Sequence, residues 1–161
     1  MTAIEDYFKA ERSESVMFIL VGLVAIGLSV YFLIKFDHPF YTGLAYPLIL
    51  VALIQLTVGT TVYLRSPKDL QRVTSFVEQE EGKIESAEIP RMKEVMKNFA
   101  YYRYFEIFLL VVGIILTLVF TKENIWMGVG IGLTAQSVFM LVLDYFAEQR
   151  GKVYLEFLQQ L

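Results

Sequence analysis

Residues 44–64 read LAYPLILVALIQLTVGTTVYL, twenty-one positions without one charged side chain. At 1.5 Å per helical residue such a run crosses about 30 Å of hydrocarbon. Working outward, residues 16–36, 104–121 and 125–147 have the same character, and the charged residues in the four runs are Lys35, Glu106 and Asp144, all near segment ends. The whole chain of 161 residues is 56% apolar and 19% charged, against roughly 25% charged in a soluble chain. That balance excludes a freely soluble enzyme, and it excludes a disordered chain, which would be too polar to bury anything. The expected fold is an all-α integral membrane protein, residues 1–161 forming one domain: an antiparallel bundle of four transmembrane helices with cytoplasmic helical extensions. The first run is expected to be retained rather than cleaved. Glu5, Asp6, Glu11 and Glu14 precede it beside Lys9 and Arg12, and it outruns the core of a signal peptide.

Lysine and arginine set the direction, because positive flanks resist translocation. Of the 14 basic residues, all but Lys35 and Lys122 flank the inner ends: Lys9 and Arg12 before the first run, eight residues between runs two and three, and Arg150 and Lys152 after the fourth. Both termini and the central segment are therefore expected in the cytoplasm, at the inner (plasma) membrane. Short loops around Asp37-His38-Pro39 and Lys122-Glu123-Asn124 are expected outside. Rings that favour the headgroup level agree, with Tyr31, Phe36, Tyr41 and Trp126 on one side and Tyr63, Tyr101, Tyr102, Tyr104 and Tyr145 on the other. A weak internal match joins Arg12 and Gly22 to Arg103 and Gly113, and Gln55 to Gln136, as a parallel repeat would.

The segment 65–103 reads as a cytoplasmic helical hairpin over about 66–103. Ser66-Pro67-Lys68-Asp69 has the form of a helix start: a capping hydroxyl, proline at the first helical position and an acid in the first turn. Leu70, Val73, Val77 and Ile84 recur at helical spacing, Gly82 is expected to end that helix, and Pro90 fits a second start. From Pro90 the face Met92, Val95, Met96, Phe99 leads into the third run, predicting one helix from about 90 to 121. Glu78, Glu80, Glu81, Glu85 and Glu88 gather at the turn; the tip formed by Glu78, Glu80, Glu81 and Glu85 is either a dock for a basic partner or a solvated turn. Apolar faces at the chain ends, with Ile4, Tyr7 and Phe8 at one and Val153, Phe157 and Leu161 at the other, need covering within the chain or by another subunit.

Polar groups inside a membrane are costly and draw functional readings by default. Gln55 and Gln136 fall at similar depth and could pair as structural glue, or with Thr57 and Thr134 line a path or ligand site. Glu106 and Asp144, one turn inside the cytoplasmic ends, are expected to join Arg12, Arg103 and Glu14 in an interfacial charge cluster, Arg103 lying three residues from Glu106 on one helical face. Gly128, Gly130 and Gly132 form a small-residue patch for close helix approach.

The net charge of −3 gives no electrostatic reason to bind nucleic acid. Without cysteine there is no disulfide, thiolate or iron–sulfur chemistry, and His38 alone cannot ligate an intramembrane haem. No catalytic motif is visible and no cofactor or metal is expected. The expected partners are membrane lipid and either further copies of the chain or another protein subunit. The functional expectation is a non-catalytic inner-membrane protein acting through association of its cytoplasmic helical module, in an accessory, scaffold or immunity-type role. The alternatives are an oligomeric channel or pore, and an enzyme or transporter for a lipophilic ligand sited near Arg103, Glu106 and Asp144.

Overall fold

A computed structural model describes residues 2–79, 82–120, 122 and 124–161. Four long helices carry the chain: α1 (Thr2–Lys35), α2 (Pro39–Gln79), α3 (Ile89–Val119) and α4 (Ile125–Leu158). Each contains a stretch long and apolar enough to cross a membrane. Glu80, Glu81 and Glu123 lie outside the described residues.

Consecutive helices double back on each other. Along α1 and α2, Phe36 stacks on Tyr41, Gly22 lies against Ala52 and Leu56, Gly59 against Ser15, and Arg12 bonds Tyr63. Along α3 and α4, Thr117 meets Gly130, Gly113 meets Thr134, and Arg103 meets Glu148. The side chain of Asn124 caps α4 by accepting from the Met127 N–H at 3.0 Å. The two hairpins join through α2 and α4, which run in the same direction, so that α1 rests mainly on α2 and α3 mainly on α4.

The α2–α4 seam depends on missing side chains. A Cβ added to Gly43 would fall 2.0 Å from the Ile125 carbonyl oxygen, and one on Gly128 would fall 2.0 Å from that of Phe40. Gly132 meets Leu44 and Pro47 in the same way, whereas Gly130 faces Gly113 and Thr117 of α3. The Gly128-Val129-Gly130-Ile131-Gly132 run therefore serves two neighbours from two faces of one helix. Where hydrophobic burial cannot discriminate helix from lipid, close backbone approach supplies the dispersion contacts that hold helices together.

Large apolar side chains are exposed in a band. Apart from Val153 and Leu161, all of those among the described residues lie within 16–34, 46–64, 101–119 and 125–146. Beyond the band, on the side of both termini, the pattern inverts into a closed core of Ile4, Phe8, Val73, Ile84, Met92, Tyr154 and Leu158. Tyr7 stacks on Tyr154 with ring centroids 4.0 Å apart and an edge contact to Phe8. The N-terminal face of Ile4, Tyr7 and Phe8 is thus covered within the chain by the end of α2, the segment after it, the start of α3 and Tyr154 of α4, and Phe157 packs against the same core, whereas Val153 and Leu161 stay exposed. Burying each core side chain contributes about 1.5–3 kcal/mol.

Two expected helix starts are corrected. Pro67 does not open a helix; it lies inside α2, which runs unbroken from Pro39 and also accommodates Pro47. The Ser66 hydroxyl, rather than capping, has the Phe8 carbonyl at 2.9 Å and a Glu11 carboxylate oxygen at 3.0 Å as acceptors for its one proton. Packing against α1 thus overrides a local start signal, and the missing Pro67 N–H is tolerated at a helix already held by neighbours. Helical backbone at Gly82 and Lys83 leads into a π-turn, Ile84–Glu88, so Gly82 belongs to the returning arm and Pro90 lies one turn inside it. The Ile89 N–H reaches back to the Ile84 carbonyl, the wider ring of a π-turn. Ile84, Glu88 and Met92 consequently share one buried face.

Gly43→Ala and Gly128→Ala are each expected to lower stability by about 1–3 kcal/mol through overpacking. Gly27, with nothing within 4 Å of an added Cβ, is the matched control, and Gly27→Ala should leave the thermal midpoint of the solubilised chain unchanged by circular dichroism.

Candidate functional site

Three polar constellations lie along the molecular axis. The first joins the hairpins. Gln55 Nε2 donates to Gln136 Oε1 at 3.3 Å and approaches Met140 Sδ at 3.3 Å, while Gln136 Nε2 donates to the Leu48 carbonyl at 3.4 Å. Both glutamines are buried, and Gln55 Oε1 has no hydrogen-bond partner among the described residues. The threonines do not join them. Thr57 is exposed and donates to the Leu53 carbonyl, and Thr134 donates to Gly130 at the α3–α4 contact. Each of these two hydroxyls is satisfied on its own helix, so neither extends the glutamine pair into a polar lining.

The second constellation lies where α3 and α4 leave the apolar band. Arg103 donates to Glu148 Oε2 at 2.6 Å, and Lys152 reaches the other oxygen at 2.8 Å. Glu106 does not pair with Arg103 as expected from their spacing; its carboxyl neighbours that of Asp144, and both line one cavity. Arg12 stands elsewhere, donating to the Tyr63 hydroxyl at 2.9 Å with its guanidinium 4.4 Å from that ring centre. Glu14 pairs with Arg150. The expected single cluster of Arg12, Arg103, Glu106 and Asp144 is therefore divided, because the side chain nearest in sequence is not nearest across the helix pair. A cavity of about 170 Å³ opens beside the two carboxyls, bounded by Phe99, Leu141 and Tyr145. The bonds from Lys152, joined by those from Arg103, hold the Glu148 carboxyl below its ordinary range.

The third constellation lies in the module beyond the band. Glu88, expected at the solvated tip, is 1% exposed and acts as a hub. Arg91 donates to it through Nε at 2.9 Å and Nη2 at 2.5 Å, the Tyr154 hydroxyl at 3.2 Å, and Arg72 at 3.4 Å. Arg72 also contacts Asp69 at 3.0 Å, as does Arg65, which extends the chain to Glu11 at 3.4 Å. Burial and then the Glu88 charge push the Tyr154 phenol far above its ordinary value, so it remains a donor. Burial raises the Glu11 carboxyl against the pull of Arg65 and Ser66. Sequence reasoning missed Glu88, Arg91, Tyr154 and Glu148 as organising residues. The signal for Glu88 was its position four residues from both Ile84 and Met92, on the apolar stripe. Of the acidic tip, Glu78 and Glu85 are exposed, and Glu80 and Glu81 fall outside the described residues.

Compared with protein families, with characterised proteins and with solved structures, the chain matches none.

Arg91→Met should destabilise by about 3 kcal/mol, since a buried carboxylate loses its bidentate partner. The double variant Glu88→Met/Arg91→Met should recover part of that loss in the same melting measurement. Glu148 has a depressed folded value, so its contribution is present above the unfolded carboxylate range and lost as pH falls through the folded value. The stability gap between wild type and Glu148→Gln should accordingly be open at neutral pH and close as the pH falls below the ordinary carboxylate range in a pH series of melts.

Proposed function

We propose that the chain is a multi-pass membrane protein, a four-helix bundle with both termini and the α2–α3 hairpin in the cytoplasm, at the inner membrane of its cell. It acts without catalysis, through association of its cytoplasmic module with another subunit or another copy. The observation that carries the membrane placement is the exposed apolar band, which water would penalise at about 25 cal/mol per Å² and lipid would not. The orientation is supported by twelve of the 14 basic residues lying on the side of the module. α2 continues some 15 residues, about 22 Å, past the end of its apolar run. A projection of that length with a closed core and ion-paired buried charges is a preorganised protein surface, which binds at lower entropic cost than a segment that must fold first.

The chain contains no native cysteine, so single-cysteine variants test this directly. Glu85→Cys should react with an impermeant maleimide from the cytoplasmic side alone, and Asp37→Cys from the outer side alone; the reverse pattern overturns the orientation. Cross-linking through Glu85→Cys in native membranes should capture a defined adduct. Reversing Glu78, Glu80 and Glu81 to lysine should remove that adduct while insertion is unchanged, and an adduct indifferent to charge reversal rejects association through the tip.

A further inference from the structure

The cavity between α3 and α4 has an unusual charge balance. Arg103, the cation that lines it, bonds Glu148, and Lys152 bonds the other oxygen of the same carboxyl. That leaves Glu106 and Asp144, on facing helices, without a basic partner among the contacts described. Glu106 is 4% exposed, and its Oε2 is buried with no hydrogen-bond partner among the described residues. Two carboxylates in contact repel unless a proton or a cation lies between them, and in a low-dielectric surrounding that repulsion is strong. Among the described residues no three acidic or histidine side chains converge as metal ligands. The remaining lining is Phe99, Leu141 and Tyr145 together with the Arg103–Glu148 ion pair, whose charges offset each other. Apolar and aromatic walls beside paired acids suit an organic cation, with the aromatic faces adding cation–π attraction. The volume, about 170 Å³, compares with about 30 Å³ for one water, room for an ammonium head and its first methylenes.

We propose that this cavity binds the ammonium group of a lipophilic amine, its tail lying along the exposed apolar faces of α3 and α4. The source is either an aminolipid headgroup or a free lipophilic cation. Glu106 and Asp144 supply the negative charge, Tyr145 covers the head, and Arg103 with Lys152 hold Glu148 out of the competition. The tail's placement rests on the membrane reading above, and incorporation into lipid nanodiscs reports on that reading separately.

The test uses the full chain in phosphatidylcholine nanodiscs, with a fluorescently tagged dodecylammonium as probe and the equally tagged dodecanol as its neutral control. The ammonium should bind saturably and about tenfold more tightly than the alcohol. Glu106→Gln and Asp144→Asn should each erase that preference, whereas Glu14→Gln, at the Arg150 pair, should retain it. Leu141→Phe keeps both acids and fills the cavity, so it should abolish binding even if an acid variant fails to fold. Adding phosphatidylethanolamine to the discs identifies the source: competition marks the aminolipid headgroup, and unchanged binding marks the free cation. Equal binding of ammonium and alcohol, or wild-type preference in Glu106→Gln and Leu141→Phe, overturns the proposal. A chain that fails to enter nanodiscs instead rejects the membrane placement.

Discussion

The architecture depends on how closely α2 and α4 can approach. Gly43, Gly128 and Gly132 bring backbone against backbone at one end of the seam, and Gln55 with Gln136 closes it further along. Each outer helix packs chiefly on one member of that pair, so the seam is the joint between the two hairpins. Dispersion between close backbones and a hydrogen bond shielded from water are both short-ranged. They specify one register and tolerate little displacement.

Beyond the seam the balance of forces changes. Within the apolar band the surface is large side chains and the interior small or amide-bearing ones. In the module the interior is aromatic and aliphatic, and charged groups are either exposed or held in the chain from Glu11 through Asp69 and Arg72 to Glu88 and Arg91. Continuous helices cross from one regime to the other, and the junction of α3 and α4, with Arg103, Glu106, Asp144 and Glu148, lies at the crossing.

Much of this was legible before any coordinates. Apolar runs of about 20 residues, the one-sided placement of lysine and arginine, and the continuous helix into the third run follow from local composition and period. The proximity of Gln55 and Gln136 was legible because both positions are set by depth alone. Ser66-Pro67 was misread because its cap signal describes a helix in isolation, while α1 supplies the Ser66 hydroxyl with the Phe8 carbonyl. Glu88 looked like one more acid at a polar turn, yet it lies four residues from both Ile84 and Met92 and shares their buried face. Arg103 and Glu106 looked like partners because they are one turn apart, yet a neighbouring helix offered Glu148 to one and Asp144 to the other.

By itself the sequence determined how many apolar helical runs there are, how long they extend and at which of their ends the basic residues gather. These are sums over neighbours in the chain, and free energies of transfer and charge depend on them directly. Tertiary structure alone decided which side chains share a pocket, which acids are left without a base and which apolar faces are closed. Those outcomes depend on the rotation and register of one helix against another, quantities that change by a whole face with a shift of two residues and have no local signature.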